Sequence, residues 1–201
     1  MSSDFYELRM YRIERGRMGD MRNRWHHHLT PLFLRHAIAP IGAWQAICGP
    51  DLPLFVYLMR WPDWPARQNA WDGFYADPQW AEVREETNAG SELVERYDLN
   101  FLREIVPWAG ARSVPYIELW LSQIDIGASV TARNFLRDDV KDAVTASGGV
   151  MLGAMEYLTG SSLPGAAVVL GWPDAATARS VDEMLQRAPL GRSNRYQLKA
   201  V

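Results

Sequence analysis

Cysteine is almost absent from the sequence, which has only Cys48 among its 201 residues. A single cysteine excludes an intramolecular disulfide and a cysteine-rich zinc site, so burial and hydrogen bonding must stabilise the fold. The N-terminus also lacks the basic start, apolar core and small-residue cleavage site of a secretory signal. Together these features predict a cytoplasmic protein.

Long apolar runs are absent as well. The longest apolar stretches, such as residues 54–59 and 166–170, are far shorter than the roughly 20 residues that a membrane-spanning helix needs. Stretches of this length are typical of buried strands. We therefore expect no association with a membrane.

The sequence has no excess of positive charge. The net charge is -3 at pH 7, the pI is about 5.8, and the Arg and Lys residues are spread along the chain. A protein that neutralises phosphates needs a concentrated positive surface, so we expect no nucleic acid partner. The sequence also lacks a Ser-His-Asp ordering, a His-Glu-x-x-His motif, a Gly-x-Gly-x-x-Gly motif and a phosphate loop. We expect no cofactor.

Tryptophan, by contrast, is frequent, with nine residues in the chain. Tryptophan supplies a large, rigid apolar surface with one hydrogen-bond donor, and it is enriched in interfaces and pockets. The aromatic surplus is therefore the one functional indication in the composition.

The chain aligns with itself without a gap when residues 4–63 are placed over residues 115–174, an offset of 111. Fourteen of the sixty positions are identical, among them Glu7 with Glu118, a shared Trp-Pro-Asp triplet and several Gly and Pro residues at chain reversals. We interpret the sequence as two copies of one module. The predicted domains are residues 1–106 and 115–201, joined by a linker over residues 107–114.

Each copy predicts the order strand, helix, strand, strand, helix, strand. In the first copy, the apolar stripe of the first helix recurs at steps of three and four: Met18, Met21, Trp25, Leu29, Leu32 and His36. Pro31 is expected to kink or restart this helix, and Asp63 is expected to cap the next one. In the second copy, the corresponding helices are predicted near residues 128–147 and 174–187.

Several short motifs follow one another in the first copy. They are Tyr6 to Tyr11, Pro31-Leu32, Arg35-His36, Gly42-Ala43-Trp44, Gly49-Pro50, Leu58, Trp61, Arg67, Ala70-Trp71 and Asp77-Pro78-Gln79-Trp80. In order and spacing they resemble the NIPSNAP family over residues 4–105. The resemblance is faint over residues 114–201, where the Arg-His pair and the Asp-Pro-x-Trp element are missing.

The resemblance implies a dimeric α+β barrel, in which two ferredoxin-like modules pair their sheets with the helices outside. We therefore predict an α+β fold of two tandem βαββαβ modules whose antiparallel sheets pack face to face. A sheet covered by helices on one face leaves its other face apolar, which a second copy would cover. The resemblance also implies a homo-oligomer, expected to be a dimer, although two fused modules could build the barrel within one chain. It implies no particular activity.

Aromatic residues are the candidate ligand-binding groups. In the first copy the segment after Asp63 is longer by about fifteen residues than in the second, which is typical of a functional insertion. The candidates that could line a pocket for a flat ligand are Trp44, Tyr57, Trp71, Tyr75 and Trp80. The alternative is that these rings form a core and an interface between the modules.

His36 is the candidate catalytic residue. A histidine at the end of a helix can act as a general base or an axial ligand, or it can cap the helix by interacting with its dipole. The consecutive residues His26, His27 and His28 cannot converge on one metal ion, because successive helix residues point about 100° apart, so no metal site is expected. Arg67 and Asp77 are expected to form an ion pair or a cap on a helix face.

Two functions remain open from the sequence. The first is a NIPSNAP-like protein that binds a small apolar or aromatic ligand, or a protein partner, without obvious catalysis. The alternative is a cofactor-independent monooxygenase or isomerase that acts on an aromatic or polyketide-like substrate in the barrel. Haem binding is a further idea, for which none of the four histidines has a distinctive ligand context.

Overall fold

The computed structural model describes residues 4–110, 114–160 and 163–201. The described residues divide into two compact units, of which unit 1 comprises residues 4–45, 51–99 and 200–201, and unit 2 comprises residues 46–50, 100–110, 114–160 and 163–199. The linker proposed over residues 107–114 stays a prediction, and three of its residues, 111–113, lie outside the described residues.

The described residues of the first half of the chain form four strands and four helices. They are β1 (Phe5–Ile13), α1 (Met18–Arg24), α2 (Thr30–Arg35), β2 (Pro40–Cys48), β3 (Leu54–Trp61), α3 (Trp64–Ala76), α4 (Pro78–Asn88) and β4 (Val94–Val106). A five-residue π-helical turn, Trp25–Leu29, joins α1 to α2. In unit 1, β1 pairs with β3 in antiparallel register.

The second half repeats most of this order. Its elements are β5 (Tyr116–Ile124), α5 (Ser129–Phe135), α6 (Lys141–Ala146), β6 (Val150–Tyr157), β7 (Gly165–Trp172), α7 (Ala175–Ala178) and β8 (Leu190–Ala200). In unit 2, β5 pairs with β7 and β8, and β7 pairs with β6, all antiparallel. As predicted, the fold is α+β and of the ferredoxin-like dimeric barrel class, and the described part of the chain contributes eight antiparallel strands to the barrel sheet.

The offset of the sequence alignment reappears in the element bounds. Adding 111 to the bounds of β1, α1, α2 and β3 gives those of β5, α5, α6 and β7. A π-helical turn also stands at the same place in both halves, at Trp25–Leu29 and at Leu136–Val140. Pro31 was expected to interrupt the first helix, but the second π-helical turn forms without a proline in the following turn, so proline alone does not explain the interruption.

Aspartates begin the helices that follow β3 and β7. The Asp63 carboxylate accepts a hydrogen bond from the Ala66 amide at 2.7 Å, as predicted, and Asp174 accepts one from the Thr177 amide at 2.8 Å. The helix predicted over residues 174–187 is much shorter than expected. Only the four residues of α7 are α-helical, and two 3₁₀ turns follow it, because Ser, Val and Asp in this stretch favour a helix weakly.

Candidate functional site

A buried carboxylate, Glu7, lies on the helix-covered face of the unit 1 sheet. Its oxygens accept hydrogen bonds from Arg9 Nε at 2.7 Å and from Trp61 Nε1 at 2.8 Å. They also accept two from Arg67 of α3, Nε at 2.8 Å and Nη2 at 3.0 Å. Alternation along β1 places Glu7, Arg9 and Tyr11 on one face of the strand. The ion pair therefore joins the sheet to α3.

The electrostatics of this network keep both charges in place. Burial alone would raise the pKa of Glu7, but the hydrogen bond from Arg67 and the charge of Arg9 outweigh it and lower the pKa below 4.5. Burial alone would lower the pKa of Arg9, but the oxygens of Tyr57, Tyr11 and Glu7 raise it. Glu7 is thus a carboxylate and Arg9 a cation, although both are almost fully buried.

Arg9 also contacts two tyrosine hydroxyls. Its Nη1 donates to the Tyr11 hydroxyl at 2.9 Å and lies 3.5 Å from the Tyr57 hydroxyl. Tyr57 donates its own hydroxyl proton to Tyr11 at 2.8 Å. Burial raises the pKa of Tyr57 and of Tyr11, and for Tyr11 it outweighs the opposing charge of Arg9. Both hydroxyls are therefore neutral, and Tyr11 accepts hydrogen bonds from Arg9 and from Tyr57.

Aromatic rings of α3 cover the guanidinium. The Arg9 Cζ atom lies 3.7 Å from the centre of the Trp71 ring, a cation–π contact. Trp71 and Tyr75 stand one helical turn apart and stack at 5.6 Å with an interplanar angle of 26°. Trp71 is 3% exposed, whereas Tyr75 is 59% exposed. The stack therefore leads from a buried cation to the surface of unit 1.

We call Arg9, Tyr11, Tyr57, Trp71 and Tyr75 the Arg9 cluster. Tyr97 of β4 adjoins it, because its ring centre lies 5.3 Å from that of Tyr11 and its side chain is exposed. One donor of the cluster has no acceptor: the buried Nε1–H of Trp71 has no hydrogen-bond partner among the described residues. All of these residues belong to unit 1.

Three of the five aromatic candidates from the sequence, Tyr57, Trp71 and Tyr75, lie in the Arg9 cluster. The ring of Trp80 lies against Phe74 instead, with 4.9 Å between ring centres, and Arg24 lies 5.9 Å from it. Trp44 lies on the other face of the sheet. Its neighbour Gln45 accepts a hydrogen bond from Arg22 of α1 at 3.1 Å and so faces the helices, and successive strand residues face opposite ways.

His36 follows the last residue of α2 and contacts the junction of α3 and α4. Its Nε2 lies 2.8 Å from Asp77 Oδ2, and that hydrogen bond lowers the pKa of Asp77. A Cβ at Gly73 would lie 3.0 Å from His36 Nδ1, so the glycine permits the close approach of α3. Asp77 also caps α4 by accepting from the Gln79 amide at 2.9 Å.

The predicted cap at Asp77 is thus confirmed, but its ion-pair partner is Arg35, at 2.9 Å. The other residue of the expected ion pair, Arg67, binds Glu7. Glu7, Arg9 and Tyr11 of β1 were not among the site residues predicted from the sequence. One signal was present, because Glu7 is identical to Glu118 in the alignment of the two halves.

The second half buries a carboxylate at the equivalent position. Glu118 accepts hydrogen bonds from Arg195 Nε at 2.7 Å and from Trp120 Nε1 at 3.1 Å. Arg195 belongs to β8 and also binds Asp182 at 2.8 Å. The two tyrosines and Arg9 have no equivalents here, because the aligned residues are Ser122, Val168 and Trp120.

Two further observations concern the described residues as a whole. No group of three or more His, Cys, Asp or Glu side chains within residues 4–110, 114–160 and 163–201 is arranged to hold a metal ion. None of the helices in that part of the chain is both long and apolar enough to span a membrane.

Comparisons with known proteins place the chain in a sequence family. The sequence profile of the NIPSNAP family matches residues 6–106. None of the curated proteins matches the chain.

Some solved structures resemble nearly the whole chain, and others resemble about half of it. A protein from Lactobacillus acidophilus, provisionally named a monooxygenase, has a TM-score of 0.62 at 8% identity, with 98% of this chain and 93% of that chain covered. A second protein provisionally named a monooxygenase, from Fusobacterium nucleatum, has a TM-score of 0.61 at 6% identity, with 99% of this chain and 93% of that chain covered. A NIPSNAP domain protein from Burkholderia xenovorans is 24% identical over 54% of this chain and 99% of its own, with a TM-score of 0.43.

Proposed function

The chain belongs to the NIPSNAP family, and from the Arg9 cluster we propose that it binds a small aromatic ligand without catalysing a reaction on it. The observation that carries the proposal is the stack of Tyr75 on Trp71 over a buried guanidinium. An exposed ring held flat by a buried one offers a rigid surface for another ring. The hydroxyl of Tyr11 adds a polar group that can orient the ligand.

The charges of the cluster favour binding over catalysis. A general base needs a pKa near the working pH and a free lone pair aimed at the substrate. Glu7, the carboxylate of this network, has a lowered pKa and already accepts four hydrogen bonds. We propose that His36 likewise has a structural role, linking the end of α2 to Asp77.

The Tyr75→Ala variant is expected to bind an aromatic probe more weakly. Loss of one stacked ring costs about 0.5–1.5 kcal/mol, which is roughly a two- to tenfold weaker affinity. The probe is tetralin, an aromatic hydrocarbon, and equilibrium dialysis measures its binding. Tyr75→Phe retains the ring and should bind as the wild type does.

Trp64→Ala is the matched control for a lost surface ring. Trp64 stands on the same helix, is 49% exposed and stacks on Phe5 at 4.2 Å. We expect the wild-type affinity from it. Equal losses in Tyr75→Ala and Trp64→Ala, or no binding of tetralin by the wild type, would contradict the proposed ligand surface.

The second candidate function is a cofactor-independent monooxygenase or isomerase. It is supported by the two full-length similarities to proteins provisionally named monooxygenases, at TM-scores of 0.62 and 0.61. In such an oxygenation the substrate is its own reductant: one atom of O₂ enters 1-naphthol, the other leaves as water with the two hydrogens that the substrate loses, and a naphthoquinone forms. An oxygen electrode with 1-naphthol as the probe tests it, and we expect no uptake above the rate without protein. Oxygen uptake by the wild type that is absent from His36→Ala would contradict the binding proposal and favour catalysis, with His36 as the catalytic residue.

Three broader expectations stay proposals. We propose a homodimer, because the NIPSNAP resemblance implies paired modules, and light scattering of the purified chain tests it. We propose a cytoplasmic location, which cell fractionation tests. A protein partner is the remaining alternative to a small ligand, and it would be favoured if tetralin does not bind to the wild type.

A further inference from the structure

The hydroxyls of Tyr11 and Tyr57 in the Arg9 cluster have two protons between them. Arg9 has only N–H donors; its Nε donates to Glu7, and its Nη1 lies near the oxygens of Tyr11 and Tyr57. One hydrogen bond joins these two hydroxyls, at 2.8 Å, and it uses one of their two protons. The other proton has no acceptor within the group.

Burial decides which tyrosine retains the unused proton. Tyr57 is 1% exposed, and a buried hydroxyl proton without an acceptor costs about 1–3 kcal/mol. Tyr57 therefore donates to Tyr11, which is only partly buried. The Tyr11 oxygen accepts from both Tyr57 and Arg9, so its own proton is available to a group outside the cluster.

A second donor lies in the same cluster. The Nε1–H of Trp71 is buried without a hydrogen-bond partner among the described residues. The Trp71 ring contacts Arg9 on one side and Tyr75 on the other. The cluster thus contains a cation and two unused donors, and its carboxylate neighbour Glu7 is fully occupied. This imbalance favours a ligand that supplies an acceptor.

We propose that the ligand of the Arg9 cluster is an aromatic carbonyl compound, such as an aryl ketone, whose oxygen accepts the hydrogen bond of the Tyr11 hydroxyl. This inference rests on the proposed binding of an aromatic ligand and specifies its chemistry. The ring of the ligand lies on Tyr75. The hydrogen bonds that Tyr11 accepts from Arg9 and Tyr57 polarise its hydroxyl and strengthen the bond that it donates.

A pair of ligands that differ only in the carbonyl group tests the proposal. Tetralin has the ring system alone, and 1-tetralone adds one ketone oxygen. In the wild type, 1-tetralone should bind roughly two- to tenfold more tightly than tetralin, the effect of one net hydrogen bond. In Tyr11→Phe, this preference should disappear, so that 1-tetralone and tetralin bind with equal affinities.

Tyr97→Phe is the matched control, because it removes the hydroxyl of the exposed tyrosine beside Tyr11. It should retain the wild-type preference for 1-tetralone. If the wild type and Tyr11→Phe prefer 1-tetralone over tetralin to the same degree, the carbonyl assignment is overturned. Binding of tetralin in that case would still support the aromatic surface. Failure of the wild type to bind either ligand overturns both proposals.

An infrared measurement on the wild type makes the test independent of the variants. A hydrogen bond to the ketone oxygen weakens the C=O bond, so bound 1-tetralone should absorb at a lower frequency than it does in hexane. A bound carbonyl that absorbs at the hexane frequency overturns the proposal. Circular dichroism of each variant, compared with the wild type, establishes that the fold is retained.

Discussion

Glu7→Gln is expected to lower the free energy of unfolding by about 3–5 kcal/mol, the cost of removing one partner from a buried ion pair. The substitution retains the shape of the side chain but removes its charge. Arg9 then remains buried without its counterion, and Arg67 loses the carboxylate that holds it against the sheet. Urea unfolding, followed by tryptophan fluorescence and circular dichroism, measures the change.

The matched control is Glu14→Gln, which removes the same charge from a partly exposed glutamate. Glu14 pairs with Arg17 at 3.1 Å, and exposed pairs contribute little to stability. We expect almost no change from it. If the two glutamine variants unfold at the same urea concentration, the buried pair at Glu7 does not stabilise unit 1.

The contribution of Glu7 should also depend on pH in a defined direction. The folded state lowers the pKa of Glu7 below its ordinary value of 4.5. Stability from this group is therefore fully present above that value, and it is lost as the pH falls through the folded pKa. The difference in stability between the wild type and Glu7→Gln should shrink on acidification. A difference that stays constant would mean that the pKa of Glu7 is the same in both states.

Trp71→Ala should be similarly destabilising, by about 3–5 kcal/mol, because removal of a buried tryptophan leaves a cavity. The ring contacts Phe33 at 5.7 Å and Phe74 at 5.5 Å between ring centres, as well as Arg9 and Tyr75. Urea unfolding of the variant measures the loss. Tetralin binding should be lost with it, since Tyr75 loses the ring on which it stacks and keeps only an edge contact with Phe74.

Trp64→Ala serves as the control for this prediction too. Trp64 is half-exposed and stacks on Phe5, and loss of a stacked ring at the surface should cost about 0.5–1.5 kcal/mol. A loss in Trp71→Ala no larger than that in Trp64→Ala would contradict the view that Trp71 supports both the fold and the ligand surface.

The fold was largely accessible from the sequence, because its periodicities are local. The alternation of residues along β1 and the apolar steps of three and four from Met18 follow from local strand and helix geometry. The failure at α7 has a physical reason as well. Burial of Ala178, Val181 and Leu185 mimics a helical stripe, but short 3₁₀ turns bring the same residues inward.

The candidate site was accessible only in part. The aromatic content of the sequence predicted Tyr57, Trp71 and Tyr75, because aromatic residues are enriched in pockets and interfaces. Arg9 could not be recognised, because a strand arginine is ordinarily exposed, and its burial follows from Glu7 and from rings that lie about sixty residues further along the chain. Contacts of that kind depend on tertiary pairing, which no local pattern encodes.

The equivalent carboxylates Glu7 and Glu118 receive their guanidinium groups from different elements. In unit 1, Arg9 of the same strand supplies one guanidinium group, and Arg67 supplies another from the helix that also carries the two stacked rings. Its two parallel hydrogen bonds tie that helix to β1. In unit 2 the group belongs to Arg195, so the same bond aligns a strand. A carboxylate at the same aligned position thus anchors the helix that carries the aromatic surface in unit 1 and a strand in unit 2.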